Sequence, residues 1–142
     1  MGPEGKGEDM SWEYSCPECH GNLNPGCSIV MSADNGEGRV LIGMHPQPGK
    51  YEVYLPPRVE CQDGSVWEFF CPLCGESLVT DEDRNLCELE LNLEGDNMRI
   101  LFSRVAGEHA TFIMHDDVVE EVHGDEAEQY QWCLQKRNFA RF

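Results

Sequence analysis

Strict alternation of apolar and polar residues marks the clearest strand of this chain. Cysteine or leucine occupies every second position from 87 to 93, and glutamate or asparagine fills the positions between them. A half-buried strand has this period of two because successive side chains point to opposite faces of a sheet. A polar run at 94–97 favours a turn, and apolar segments follow at 98–103, 110–114 and 118–122. These segments predict a C-terminal antiparallel meander.

Shorter apolar segments earlier in the chain predict a second group of strands. They cover 29–31, 39–43 and 51–54, separated by glycine- and proline-rich turn signals at 34–38 and 45–49. The C-terminal stretch instead has a helical pattern, with Asp125 as N-cap, Glu128 three residues later, and then Tyr130, Cys133 and Leu134. We therefore predict a mainly β fold with one short C-terminal helix.

A short internal repeat is the strongest motif in the sequence. Residues 12–23 read WEYSCPECHGNL, and residues 67–78 read WEFFCPLCGESL. The two copies share tryptophan, glutamate, an aromatic residue, both cysteines, the proline and the final leucine. A lone Cys-x-x-Cys is weak, whereas two copies in one shared context predict a duplicated hairpin that presents paired thiols.

Each position that the two copies share, together with the residue after the second cysteine, has a physical role in such a hairpin. The tryptophan and the aromatic residue fall on one face of a predicted strand. Proline after the first cysteine fixes φ at a tight turn. Gly75 follows the second knuckle, where a left-handed conformation is often needed, and His20 takes that place in the first. We expect Leu23 and Leu78 to pack beneath the two turns.

The two hairpins resemble the metal knuckles of the zinc-ribbon and rubredoxin-like proteins. CPLCG at 71–75 fits the motif of that group fully, whereas CPECH at 16–20 departs from it at the glycine. The resemblance covers only the knuckles and their flanking strands. It implies one tetrahedral site with four ligands: Cys16, Cys19, Cys71 and Cys74. The spacer between Cys19 and Cys71 is longer than in a minimal zinc ribbon, so we expect a β insertion there.

Zinc is the metal expected at this site, because zinc forms stable, redox-inert tetrahedral thiolate centres. Iron fits the same ligands and would make a rubredoxin-like electron carrier. Two other readings stay open: CPECH also satisfies the haem-attachment motif, and Cys-Pro-x-Cys also serves thiol–disulfide oxidoreductases. The remaining cysteines are Cys27, Cys61, Cys87 and Cys133. They are most simply small buried hydrophobic residues, although Cys27 and Cys61 could form part of a second metal site.

Net charge narrows the range of partners. The formal net charge is −17, which disfavours contact with nucleic-acid phosphates or anionic membrane surfaces and favours a protein partner with a basic surface. No apolar run is long enough to span a membrane. Residues 1–11 are charged, glycine-rich and without the apolar core of a signal peptide, so we expect a disordered segment and a cytoplasmic protein.

A polar stretch at 103–111 is the one candidate for a pocket. Arg104, Glu108 and His109 lie in it, and His115 follows the next predicted strand. A hydrogen-bonded turn around Gly107 is the simpler interpretation, since nothing there identifies a nucleophile or a general base.

These patterns predict one zinc-stapled β domain over 12–142, with its knuckles at 12–23 and 67–78. A closed four-cysteine site stabilises rather than catalyses. We therefore expect a protein-interaction, accessory or regulatory module more than an enzyme. The alternatives are an iron electron-transfer protein and a small enzyme with its site near 103–117.

Overall fold

The computed structural model describes residues 12–26, 28–80, 83–116, 118–128 and 130. Within this part of the chain the regular elements are β strands, which confirms the mainly β class. In chain order they are β1 (Trp12–Ser15), β2 (Ile29–Asp34), β3 (Arg39–Met44), β4 (Val53–Tyr54), β5 (Glu68–Phe70), β6 (Leu86–Leu93), β7 (Asp96–Ser103), β8 (Thr111–His115) and β9 (Val118–His123).

The strands form two antiparallel sheets. One is five-stranded, in the order β9-β8-β7-β6-β1, and the other is four-stranded, in the order β4-β3-β2-β5. In the first sheet, β6 to β9 lie side by side in chain order, so the predicted meander is confirmed. Each copy of the repeat therefore adds its strand to a different sheet, and among the described strands that strand is the outermost one in each sheet.

Strands β2 and β4 differ from the predictions for reasons that lie outside the local sequence. Strand β2 continues to Asp34 because it pairs on both sides, so that Ala33 faces Val40 of β3 and Phe69 of β5. Strand β4 is only two residues long. Tyr51, which the prediction placed in that strand, instead stacks its ring on that of His109, which lies between β7 and β8 of the five-stranded sheet.

The main core lies between the two sheets. Alternate residues of β2 and β6 point inward and are buried, among them Met31, Leu89 and Leu91. A second cluster covers the opposite face of the five-stranded sheet, where Phe112 and Met114 pack with residues from the C-terminal part. Its other buried members are Leu86, Leu101, Ala110, Ala127 and Tyr130.

The predicted C-terminal helix lies partly beyond the described residues. Residues 125–127 form a turn, and the backbone is helical at Glu128 and Tyr130. The amide of Tyr130 donates to the carbonyl of Ala127 at 3.0 Å, the tighter i+3 pattern. Cys133, Leu134 and residues 1–11 lie outside the description. Among the described residues, no helix is long and apolar enough to span a membrane.

We expect Leu78→Ala to lower the free energy of unfolding by about 2–5 kcal/mol, because Leu78 is a filled core position. Its side chain is 1% exposed. The control is Leu41→Ala, since Leu41 is 59% exposed and the same atoms are removed. Urea unfolding should show a change of only a few tenths of a kcal/mol for the control. Equal losses in the two variants would contradict the placement of Leu78 beneath its knuckle.

Candidate metal centre

The two copies of the repeat fold into the same hairpin. The amide of Cys16 donates to the carbonyl of Gly21 at 3.1 Å, and the amide of Cys71 donates to that of Glu76 at 2.9 Å. Below each turn, the amide of the leucine donates a hydrogen bond back to the strand that precedes the knuckle. Leu23 donates to the carbonyl of Tyr14 at 2.8 Å, and Leu78 donates to the carbonyl of Phe69 at 2.9 Å. Both leucines are 1% exposed. The predicted duplication therefore extends to the hydrogen bonds.

The residue after each second cysteine has a left-handed backbone. The φ angle is 62° at His20 and 83° at Gly75. In both knuckles the amide of this residue donates to the carbonyl of the first cysteine, at 2.8 Å in His20 and 2.9 Å in Gly75. The first knuckle therefore keeps the same backbone conformation and hydrogen bond although His20 stands where the second knuckle has glycine. His20 also places Nδ1 2.9 Å from Oε1 of Glu90 on β6, and its ring is not part of the cysteine cluster.

The four predicted ligand sulfurs meet in one cluster. The Sγ atoms of Cys16 and Cys74 are 3.8 Å apart, and those of Cys19 and Cys71 are also 3.8 Å apart. All four lie within 4.8 Å of one another. A tetrahedron with metal–sulfur bonds of about 2.3 Å has edges of about 3.8 Å. The cluster is thus able to hold a metal ion, and the donor set fits zinc or iron.

Backbone amides prepare the sulfurs to carry negative charge. Glu18 and Cys19 donate to the Sγ of Cys16 at 3.3 and 3.5 Å. The equivalent amides of Leu73 and Cys74 donate to the Sγ of Cys71 at 3.3 and 3.4 Å. These donors stabilise the thiolate, which is the form that binds a metal.

The two inner cysteines differ in acidity. Burial raises the pKa of the Cys16 thiol to about 12. Burial opposes ionisation of Cys71 as well, but the amides of Cys74 and Leu73, together with hydrogen bonds from the thiols of Cys74 and Cys16, lower the pKa of Cys71 to about 7. Four neighbouring thiols cannot all ionise without a cation, so one thiolate in the cluster suppresses its neighbours.

The cluster connects the two sheets. Cys16 follows β1 of the five-stranded sheet, and Cys71 follows β5 of the four-stranded sheet. These first cysteines are buried at 0% and 1% exposure, whereas Cys19 and Cys74 face the surface. A metal ion here would tie the outermost strand of one sheet to the outermost strand of the other.

The alternative chemistries of the Cys-x-x-Cys pairs gain no support from this arrangement. Cys16 and Cys19 point to the opposite knuckle, and His20 is paired with Glu90. Both pairs lie in turns after β strands, whereas thiol–disulfide oxidoreductases favour a helix N-terminus. Metal binding is the chemistry that uses all four sulfurs together.

Three of the four predicted pocket residues line one cavity. Arg104, Glu108 and His109 border a space of about 300 Å³ between the two sheets. His115 lies at the end of β8 outside this lining, and its Nδ1 is 3.6 Å from Oε2 of Glu120. The guanidinium of Arg104 donates to the backbone carbonyls of Arg84 and Trp67.

The remaining cysteines divide into different environments. Cys87 is fully buried, as predicted. Cys61 is exposed on a loop that lines the cavity, so the expectation of a buried thiol is wrong there. Among the described residues, the only cluster able to hold a metal is that of the four knuckle cysteines, and Cys61 is not part of it. Cys27 and Cys133 lie outside the described residues.

Sequence reasoning missed how the two knuckles touch each other. A Cβ atom on Gly21 would lie 2.4 Å from Cδ1 of Leu73, so the first knuckle leaves room for a side chain of the second. Leu73 is nevertheless 63% exposed. The repeat itself held a signal, since the copies differ here: Gly21 aligns with Glu76, and Leu73 aligns with Glu18.

Comparison with protein-family models, with curated proteins and with solved structures finds no match to this chain. The functional interpretation therefore depends on the geometry of the site.

We expect Cys74→Ser to weaken metal binding sharply and to remove most of the metal-dependent stability, on the order of several kcal/mol. Cys61→Ser is the matched control, because Cys61 is also an exposed free cysteine but lies outside the cluster. Titration with zinc, followed by thermal unfolding, measures both effects. A metal-dependent stability that survives in Cys74→Ser would argue against a four-cysteine centre.

Proposed function

We propose that this protein is a small zinc-binding module in which a structural four-cysteine site fixes the two sheets so that a surface beside the knuckles binds another protein. The observation that carries the proposal is the closed set of four sulfurs, all within 4.8 Å of one another. Four protein ligands leave no coordination position for a substrate. The metal therefore stabilises the fold, and the function lies on the surface that it organises.

Zinc is proposed over iron because the site joins two sheets of a larger fold. A minimal electron carrier needs neither the strands between the knuckles nor the C-terminal meander. The geometry accommodates either ion, since both take tetrahedral thiolate ligands. The choice between them is thus open to a direct measurement.

Protein purified without a tag or added metal should contain about one zinc per chain and be colourless. Elemental analysis and a visible spectrum recorded in air measure these two properties. A red protein with ferric-thiolate absorption would instead support the electron-transfer alternative. Protein that contains no metal and unfolds identically with and without zinc would refute both metal hypotheses.

The proposed contact surface is the exposed tip of the knuckles. Leu73 is 63% exposed there and lies against Gly21 of the other knuckle. Glu18 and Glu76 are exposed on the same two turns. An apolar anchor with acidic neighbours suits a partner that offers an apolar pocket within a basic surface. The net charge of −17 also favours a partner with a positively charged surface.

We also propose that the protein works in the cytoplasm. The four clustered cysteines are free thiols in the structure, and thiols remain available to a metal where the compartment is reducing. An oxidising compartment would convert such pairs to disulfides unless the metal protected them.

Leu73→Ser should remove the contact with a protein partner, whereas Leu41→Ser should not. Both substitutions replace an exposed leucine, but Leu41 is on β3, outside both copies of the repeat. Quantitative mass spectrometry of proteins that co-purify with the wild type and each variant compares them. With Leu73→Ser, we expect the recovery of a protein with a basic surface to fall about tenfold or more, as for the loss of a central anchor residue. Identical recoveries with all three would contradict the knuckle tip as the contact surface.

A further inference from the structure

The cavity between the two sheets has the construction of a small-molecule site. Its volume of about 300 Å³ lies at the lower end of known ligand pockets. The floor is apolar and aromatic, formed by the buried side chains of Ile42, Trp67 and Phe69. The indole Nε1 of Trp67 already donates to Oγ of Ser65 at 3.0 Å, so the ring presents an apolar surface to the cavity.

One side of the cavity mouth is a rigid aromatic pair. The rings of Tyr51 and His109 are parallel, with an interplanar angle of 1° and centroids 4.3 Å apart. The hydroxyl of Tyr51 lies 2.9 Å from Oγ1 of Thr111, and the amide of His109 donates to Oε1 of Glu126 at 2.8 Å. Behind them, a Cβ atom on Gly124 would lie 2.2 Å from the carbonyl oxygen of His109. The wall is thus formed before any ligand arrives.

One carboxylate, that of Glu108, lines this mouth, and a second lies beside the lining residue Gly107. Oε1 of Glu108 accepts hydrogen bonds from Oγ of Ser103, at 2.6 Å, and from the hydroxyl of Tyr130. Asp63 lies against the turn at Gly107, where a Cβ atom would be 2.7 Å from its Oδ1. Next to burial, which is the larger cause, the charge of Asp63 raises the pKa of the Cys61 thiol.

The guanidinium of Arg104 is held at the Trp67 side of the cavity lining. Arg104 is the permanent cation among the described lining residues, and its Nε donates to the carbonyl of Arg84 at 2.8 Å. Its Nη1 donates to the carbonyl of Trp67 at 3.4 Å. These hydrogen bonds fix the position of the guanidinium but leave its charge in place. At the Tyr51 side of the mouth, burial and then the charges of Glu126 and Asp125 raise the pKa of the Tyr51 hydroxyl, so acidic groups there favour a cation over an anion.

We propose that this cavity binds a small organic cation with an apolar body. The apolar body packs against Trp67 and Phe69, and the cationic group faces Glu108 and the Tyr51–His109 pair. Aromatic faces add to the attraction for a cation. The site is independent of the metal centre, so each can fail its test while the other stands.

Three probes with the same aromatic ring and different charge test this assignment: benzylammonium, benzyl alcohol and benzoate. Binding to the full-length, metal-loaded protein is measured from nuclear magnetic resonance shifts, with the indole N–H of Trp67 as the reporter of the cavity. We expect benzylammonium to bind about threefold to fivefold more tightly than benzyl alcohol, the scale of one partly exposed charge interaction. Benzoate should bind most weakly of the three.

Glu108→Gln removes one charge and keeps the shape and the Oε1 acceptor, so it should reduce the preference for benzylammonium over benzyl alcohol. Glu120→Gln is the control, because Glu120 is outside the cavity lining and the net charge changes equally. If Glu108→Gln does not fold, Asp63→Asn on the exposed loop makes the same test.

The proposal is overturned if benzoate binds as tightly as benzylammonium, or if no probe shifts the Trp67 signal. It is also overturned if both glutamate variants lose the preference to the same extent, because the effect would then come from overall charge.

Discussion

Four sulfurs that cannot all carry charge without a cation are the constraint on which this structure depends. They lie within 4.8 Å of one another, two from each knuckle. Without a metal ion, thiolates at that separation repel, and burial raises the pKa of Cys16 further. With a metal ion the same geometry becomes a cross-link between two sheets. Binding of the metal and docking of the sheets are therefore expected to be one coupled equilibrium.

The sequence was most informative where one local pattern determines the structure. Alternation over 87–93 was sufficient to predict β6, because burial of one face of a sheet imposes a period of two. The repeat was sufficient to predict the two knuckle hairpins, because turn geometry is local and both copies carry the residues that it needs. His20 in the left-handed conformation shows that this argument holds even where the glycine is missing. That the four cysteines meet in one site was implied by the resemblance to known metal knuckles.

Features that depend on distant partners could not be read in this way. Nothing in the segments 12–15 or 68–70 indicates that they join different sheets, since either could pair with any neighbouring edge. The exposure of Cys61 and the stacking of Tyr51 on His109 likewise depend on how loops from separate sheets meet. Polar residues at 103–109 did point to the cavity, but its aromatic floor comes from strands far away in sequence.

The position of the knuckles at β1 and β5, the outermost of the described strands, has a further consequence for self-association. The outermost strand of a sheet is a template for pairing with another chain. At the opposite sides, β4 is two residues long and β9 carries Glu120 and Glu121, and both features discourage such pairing. On the knuckle side, a metal ion bound by the four cysteines would hold the ends of β1 and β5 to each other and would so limit such pairing. Supply of the metal would then govern whether the protein stays dispersed in solution as well as whether it folds.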